Sequence, residues 1–281
     1  MEPKFILTLD GYLRIGYVRM HKDLLLPHDT CIGGGYREVD YVSGRLLLSR
    51  RSYDYGKPKW TLVTDKLLLK SEVMIYNILF DMGGVIFNQN TEEAFRRFRE
   101  AGIDTDYYMG KYGQKDFFMD LESGKIDADT FCKRMSEAVG YEITKEEASY
   151  CWLGFFDSVP LKRLKDLETL RKNYHLCLLS NTNPFMMDFT RSSKFSEIGK
   201  PITDYFDSLF LSYEMKCCKP DWNIYRKALE ADHMKAEECL FVDDSAVNTG
   251  AAEALGFNTL TVKTNQDWMN DVLNILGDDF M

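Results

Sequence analysis

From residue 74 onward, short apolar runs alternate along the chain with longer stretches in which apolar residues recur every three or four positions. Five of the short runs predict buried strands, at Ile75–Phe80, Leu176–Leu179, Ser208–Leu211, Leu240–Val242 and Thr259–Val262. Strands that alternate with amphipathic helices form a parallel sheet with helices on both faces. The pattern therefore predicts an α/β fold over residues 74–281, a doubly wound, Rossmann-like parallel sheet.

Residues 89–158 interrupt this alternation between the first two predicted strands. Helical spacing is present at Thr91–Glu100, Asp127–Val139 and Thr144–Leu153, and the insert has no strand pattern of its own. An insert of this length is far longer than an ordinary connection between a strand and a helix. Helices inserted just after the first strand can cover the strand ends and exclude water from a site there. We therefore expect a helical cap over about residues 89–158.

Residues 1–73 have a different character. Short β-type runs at Lys4–Leu9, Tyr12–Val18, Arg37–Val42, Arg45–Ser49 and Trp60–Val63 are separated by Gly, Pro and Asp, which predicts a small β-rich domain. This segment carries 12 Lys+Arg against 9 Asp+Glu, whereas the remainder carries 23 against 35. Its basic, aromatic and β-rich character suggests the hypothesis that it binds a protein partner or mediates self-association.

Composition excludes several classes of function. The net charge of −9 argues against nucleic acid as a partner, because duplex binding depends on a basic surface. No apolar run approaches the ~20 residues that cross a bilayer, so we expect neither a membrane span nor a signal peptide. The seven cysteines include no C-x-x-C pair. They predict free, buried thiols and a cytoplasmic location.

Four polar motifs lie at predicted strand ends or just before a helix. In chain order they are Asp81-Met-Gly-Gly-Val, Ser180-Asn-Thr, Lys219-Pro-Asp and Phe241-Val-Asp-Asp-Ser-Ala-Val-Asn248. Alone, Asp81 could be an ordinary turn residue, since Asp-x-Gly is common turn chemistry. Ligands of open α/β sheets, however, bind at the carboxyl ends of the strands. The four motifs together therefore favour a shared site at that edge.

The order of these motifs resembles that of the haloacid dehalogenase superfamily, whose members are mostly phosphatases. The resemblance covers residues 74–276 and includes a helical cap. It implies that Asp81 attacks phosphorus and forms an aspartyl phosphate. It also implies that Ser180, the backbone amide of Asn181 and Lys219 bind the phosphoryl group. Lys216 competes for the lysine role, and we prefer Lys219 because it directly precedes a helix.

The same resemblance implies a Mg²⁺ site. Asp81, Asp244 and the backbone carbonyl of Gly83 are the expected ligands, because hard cations bind oxygen. Asp243 is expected to be either a further ligand or a partner beside the ion. Asn248 stands four residues after Asp244, where the family often has a second acid, and we expect it to orient the site.

Gly83 is the main departure from the family pattern. Most of these phosphatases have a second Asp at this position, which protonates the leaving oxygen and then activates water. General acid–base help typically contributes ~10² to 10⁴ in rate. The Asp-x-Gly form also occurs in a subgroup that includes α-D-glucose 1-phosphate phosphatase, and Glu122-Ser-Gly-Lys-Ile126 resembles the cap of that subgroup.

The sequence thus predicts Mg²⁺-dependent hydrolysis of a small phosphomonoester, with a sugar phosphate as the preferred class. One alternative, motivated by Gly83, is a weak or inactive phosphate-binding or scaffold protein. Another is a 2-haloacid dehalogenase, which also has an Asp nucleophile but attacks carbon without a metal. The pair Asp243 and Asp244 argues against the dehalogenase, because these carboxylates would repel an anionic substrate.

Overall fold

A computed structural model describes residues 74–109 and 114–277 and, within residues 1–73, the backbone of five strands. The chain divides into two compact units, Met1–Glu72 and Val73–Met281. In the first unit, β1 (Lys4–Leu7) pairs antiparallel with β2 (Leu13–Gly16). A second antiparallel sheet contains β3 (Arg37–Val42), β4 (Arg45–Asp54) and β5 (Lys57–Val63). An independent β-rich domain with its own role stays a prediction.

The second unit contains the elements that build the site. Its strands are β6 (Asn77–Phe80), β7 (Asn88–Gln89), β8 (Phe156–Ser158), β9 (His175–Ser180), β10 (Ser208–Leu211), β11 (Cys239–Asp243) and β12 (Asn258–Thr261). Its α-helices are α1 (Thr91–Glu100), α2 (Thr105–Tyr108), α3 (Phe117–Glu122), α4 (Ala128–Val139), α5 (Lys145–Trp152), α6 (Leu161–Leu170), α7 (Pro184–Thr190), α8 (Ser212–Met215), α9 (Trp222–Ala231), α10 (Ala246–Glu253) and α11 (Met269–Leu276). Short 3₁₀ helices lie at Leu153–Phe155, Ile202–Asp204 and Ala236–Glu238.

A five-stranded parallel sheet forms the centre of this unit, in the order β10-β9-β6-β11-β12. The prediction of a parallel α/β sheet is confirmed. In the central strand, Phe80 lies between Leu178 of β9 and Val242 of β11. The strand that ends just before Asp81 is therefore flanked by the two strands that end at Ser180 and Asp243.

Both faces of the sheet are covered. Ile78 and Phe80 face one apolar cluster, whereas Leu79 faces a second cluster that includes Ile224 and Tyr225 of α9. All three β6 side chains are fully buried. A strand that is buried on both faces must be apolar at successive positions, which explains why these strands appear as continuous apolar runs in the sequence.

The predicted cap, residues 89–158, contains the helices α1 to α5. Side chains at the expected positions begin its helices: Asn90 caps α1, Asp127 caps α4, and Thr144 forms a capping box at α5. An aromatic cluster holds the helices together, with ring centroids 5.1–5.8 Å apart among Phe98, Phe118, Phe131 and Trp152.

The prediction that the insert has no strand was wrong. At its base, β7 pairs antiparallel with β8. These strands contain two and three residues. An alternating pattern cannot be detected over so few positions.

The cysteines and the helix lengths bear on two further predictions from the sequence. Six cysteines in the described part of the chain have free thiols, of which Cys132, Cys151, Cys177 and Cys239 are buried, while Cys31 lies outside the described residues. None of the helices in the described ranges has the length and apolar composition that crossing a bilayer requires.

Candidate active site

Three of the predicted site residues lie at the carboxyl ends of adjacent strands. Asp81 directly follows β6, Ser180 is the last residue of β9, and Asp243 is the last residue of β11. The Asp81 amide donates to Val242 O at 2.9 Å, which extends the pairing of β6 and β11 by one step. Because neighbouring parallel strands end at one edge, residues far apart in the sequence meet there.

Lys219 lies at the centre of this group. Its Nζ donates to Asp81 Oδ1 at 2.7 Å, to Asp243 Oδ2 at 2.7 Å and to Leu179 O at 2.8 Å. The side chains of Lys219 and Asp243 are 1% and 0% exposed, whereas that of Asp81 is 15% exposed. Asp81 is therefore the member of this trio that faces open space.

The competing lysine points elsewhere. Lys216 Nζ donates to the backbone carbonyl of Gly124 in the cap at 2.7 Å. Of the two lysines, Lys219 is the one that reaches Asp81.

Asn181 holds the Lys219 backbone in place. The Lys219 amide donates to Asn181 Oδ1 at 2.7 Å, and Asn181 Nδ2 donates to Lys219 O at 2.9 Å. The sequence assigned Asn181 a backbone role toward phosphate. The structure adds that its side chain positions the lysine.

The electrostatics of the group are dominated by burial and by the excess of carboxylates. Burial raises the pKa of Asp81 to about 7, an effect that Lys219 opposes and Asp243 and Asp244 increase. Burial alone would lower the pKa of the Lys219 ammonium, but Asp243 and Asp81 raise it, so Lys219 is a cation. One cation facing three carboxylates leaves room for a second positive charge.

Asp81, Asp243 and Asp244 can each offer a carboxylate oxygen within 4.8 Å of the others. Asp243 Oδ1 accepts from Ser245 N at 2.7 Å, and Asn248 Nδ2 donates to both oxygens of Asp243, at 3.2 and 3.1 Å. Because Lys219 Nζ also donates to Oδ2, both oxygens of Asp243 accept hydrogen bonds from protein groups.

The Asp244 carboxylate accepts fewer hydrogen bonds than that of Asp243. Its Oδ2 accepts from Thr264 Oγ1 at 2.7 Å, and burial raises its pKa. The donor set of Asp81 and Asp244 consists of hard carboxylate oxygens, which fits a divalent cation such as Mg²⁺.

A side chain at either Gly83 or Gly84 would meet a neighbouring group, and the group differs between the two positions. Gly84 has a φ of +76°, and a Cβ there would lie 2.5 Å from Asp244 Oδ2, so a side chain would displace the acid. A Cβ at Gly83 would lie 2.7 Å from Gln89 Oε1. The Gln89 amide thus takes the space beside position 83.

A cavity of about 150 Å³ lies between this group and the cap. Asp81, Ser180 and Lys219 line its floor together with Asn181, Gly83 and Asn248. Gln114, Glu122, Trp152 and Phe155 line it from the cap. Gln114 Nε2 donates to Glu122 Oε1 at 2.9 Å.

Sequence reasoning missed the cap residues as members of the site. The motif Glu122-Ser-Gly-Lys-Ile126 includes Glu122, but the segment Phe117–Glu122 also contains Asp120, so the sequence alone does not single out Glu122 as the cavity carboxyl. Gln114 has no comparable signal, because its place in the cavity depends on how the insert folds over the sheet.

Residues 76–256 match the sequence model of the haloacid dehalogenase-like hydrolases. D-Ribitol-5-phosphate phosphatase of Bacteroides thetaiotaomicron is 42% identical over 205 residues, which cover 73% of this chain and 100% of that enzyme.

Two solved structures are also similar. A HAD-like family hydrolase from Porphyromonas gingivalis has a TM-score of 0.69 and 35% identity, over 72% of this chain and 98% of that one. A HAD family enzyme from Bacteroides thetaiotaomicron, in complex with magnesium and inorganic phosphate, has a TM-score of 0.64 and 31% identity, over 71% of this chain and 100% of that one.

Proposed function

The chain belongs to the haloacid dehalogenase-like hydrolases, and on that premise we propose that it hydrolyses a small phosphomonoester, a sugar or sugar-alcohol phosphate, through an aspartyl-phosphate intermediate. The observation that carries this proposal is the placement of Asp81. It is the partly exposed carboxylate of a buried ion-paired trio, and it faces the cavity.

In the proposed reaction, Asp81 attacks phosphorus and the bond to the leaving oxygen breaks. Lys219 stays paired with Asp81 and neutralises charge beside the phosphoryl group. Ser180 lines the same cavity, and its hydroxyl, which donates to Asn181 O at 3.3 Å, is proposed to donate to a phosphoryl oxygen of the substrate. Water then cleaves the aspartyl phosphate and releases inorganic phosphate.

We propose Asp81, Asp244 and the backbone carbonyl of Gly83 as the groups that would hold Mg²⁺. When bound, the ion supplies positive charge that stabilises the phosphoryl oxygens. Asp243 is proposed as a positioning residue and not a ligand, because Ser245, Asn248 and Lys219 already occupy its oxygens. Asn248 in turn fixes the orientation of Asp243.

A hydroxyl-rich substrate is supported by the polar residues that line the cavity. Beside the charged groups, these are the amides Gln89, Gln114, Asn181, Asn183 and Asn248 and the hydroxyl residues Ser180 and Thr182. Side-chain amides offer both donors and acceptors, and hydroxyls offer both as well, which matches the hydroxyl groups of a substrate. A relative named for D-ribitol 5-phosphate fits this chemistry.

The alternatives from the sequence are not favoured. A non-catalytic scaffold does not need a partly exposed carboxylate facing a cavity, and a 42% identical relative is named as a phosphatase. A dehalogenase would have to bind an anion beside three carboxylates with one cation among them.

For residues 1–73 we keep two proposals, binding of a protein partner and self-association, and a cytoplasmic location is likewise a proposal. Deleting these residues tests the first two. If the shortened protein has the same size in solution and the same activity, both proposals are contradicted.

The proposed function is tested with the purified full chain and a panel of small phosphates that includes D-ribitol 5-phosphate and α-D-glucose 1-phosphate, with and without Mg²⁺. We expect phosphate release that depends on Mg²⁺. Absence of turnover over the whole panel would overturn the proposal.

A further inference from the structure

The site lacks a group that can protonate the leaving oxygen from the usual position. Gly83 has no side chain, and the neighbouring Gln89 amide cannot supply a proton at neutral pH. A sugar-alcohol oxygen is a poor leaving group, so its departure needs a proton. The inference below rests on the proposed function.

Ionisable groups in the cavity are few. Among the described residues that line it, Asp81, Lys219 and Glu122 are the ones that carry a titratable group. Asp81 is the proposed nucleophile, and Lys219 is committed to two carboxylates and a carbonyl. Glu122 is therefore the remaining group that could transfer a proton.

A single hydrogen bond fixes the position of the Glu122 carboxyl. Gln114 Nε2 donates to its Oε1 at 2.9 Å, while within the described residues no group bonds its Oε2 and no cation forms an ion pair with it. A carboxyl with one oxygen held and one oxygen free can point that free oxygen at a substrate.

The contact between cap and core keeps this end of α3 close to the sheet. Gly124, two residues after Glu122, has a φ of +64°, and a Cβ there would lie 1.9 Å from Tyr213 O. The Gly124 carbonyl accepts from Lys216 Nζ at 2.7 Å. The backbone beside Glu122 therefore packs directly against the core, where Asp81 and Lys219 lie.

We propose that Glu122 is the general acid and base of this phosphatase. In the first step Asp81 forms a bond to phosphorus, the bond from phosphorus to the leaving oxygen breaks, and that oxygen takes the Glu122 proton. In the second step the Glu122 carboxylate takes a proton from water, whose oxygen attacks phosphorus. The bond between phosphorus and Asp81 then breaks, which regenerates both residues.

The environment of Glu122 suits both steps. Burial raises its pKa to about 7, the Gln114 bond lowers it, the charge of Asp81 raises it and that of Lys219 lowers it. The Cys218 thiol also faces this carboxyl, and burial raises the pKa of that thiol, so it is neutral. A pKa near the working pH allows one group to donate a proton and then to accept one.

The test compares a poor and a good leaving group. Glu122→Gln keeps the shape and the Gln114 bond but cannot donate a proton. We expect kcat/KM for a sugar-alcohol phosphate to fall by about 10² or more. For acetyl phosphate, whose leaving group departs without protonation, we expect a change of less than about threefold. Glu137→Gln, an exposed glutamate of α4, is the control and should alter neither value.

Two readouts separate this proposal from a structural role. Equal losses for both substrates would overturn it, as would a wild-type fall in kcat/KM above about pH 7 that persists unchanged in Glu122→Gln. If Glu122→Gln unfolds, Glu122→Ala and the wild-type pH profile take its place. If the wild type hydrolyses neither substrate, the proposed function fails instead.

Discussion

The ammonium group of Lys219 lies 2.7 Å from Asp81 Oδ1 and 2.7 Å from Asp243 Oδ2. One buried cation thus joins the ends of two neighbouring strands. Removing one partner of a buried ion pair leaves uncompensated charge, which is far more costly than breaking a surface pair. Lys219 should therefore support the fold as well as the reaction.

Replacing Lys219 by Ala should lower the free energy of unfolding by about 3–5 kcal/mol near neutral pH. The pKa of Lys219 is raised in the folded state, so its contribution is complete throughout the neutral range. The deficit should shrink toward pH 5, because the abandoned carboxylates then take up protons. Urea unfolding at pH 8 and pH 5 measures both values.

Lys216→Ala is the matched control for that experiment. It removes one bond from an exposed side chain to Gly124 O and leaves Asp81 paired. We expect a change in stability of about 1 kcal/mol or less and a small effect on turnover. Similar losses in the two variants would contradict the assignment of Lys219.

The contact of Gly124 with the core predicts a steric effect. Gly124→Ala places a methyl group where Tyr213 O lies, so it should destabilise the protein by about 3 kcal/mol or more and reduce activity. Gly140→Ala shares the left-handed conformation, with a φ of +82°, but a Cβ there meets nothing within 4 Å. It should cost only about 1 kcal/mol. Thermal unfolding of both variants tests whether the contact or the backbone angle dominates.

The raised pKa of Glu122 predicts a gain in stability when its charge is removed. A carboxyl whose pKa is raised to about 7 in the folded state destabilises that state when it ionises. This penalty grows as the pH rises from the ordinary pKa of a glutamate toward 7, and it is complete above pH 7. Glu122→Gln should therefore stabilise the protein at pH 8 by about 1–3 kcal/mol and less at pH 5. A stabilisation that is the same at both pH values would show that Glu122 is not the titrating group.

The proposed ligand set predicts how activity depends on the metal. Asp244→Asn should raise the Mg²⁺ concentration required for half-maximal activity by at least about 10-fold, because a neutral amide is a weaker ligand than a carboxylate. A Mg²⁺ titration of wild type and variant measures this shift. An unchanged titration would place the metal elsewhere.

Periodicity was sufficient to predict the sheet. The bounds of Ser208–Leu211 match those predicted, and three of its four residues form an apolar run. The short pairing of Asn88–Gln89 with Phe156–Ser158 could not be predicted from so few residues.

The proximity of the site residues was most predictable where they lie at strand ends. Asp81, Ser180 and Asp243 end neighbouring strands, so their proximity follows from the topology. The choice between Lys216 and Lys219 depends on how the loop before α9 folds. The cavity positions of Gln114 and Glu122 depend on how the cap packs over the sheet.

Release of phosphate from D-ribitol 5-phosphate by wild type and Asp81→Asn, with and without Mg²⁺, tests the central claim most directly. The wild type should turn over only with Mg²⁺, and Asp81→Asn should lose at least about 10³-fold in kcat while it remains folded. Turnover by Asp81→Asn at the wild-type rate would contradict the assignment of Asp81 as the nucleophile.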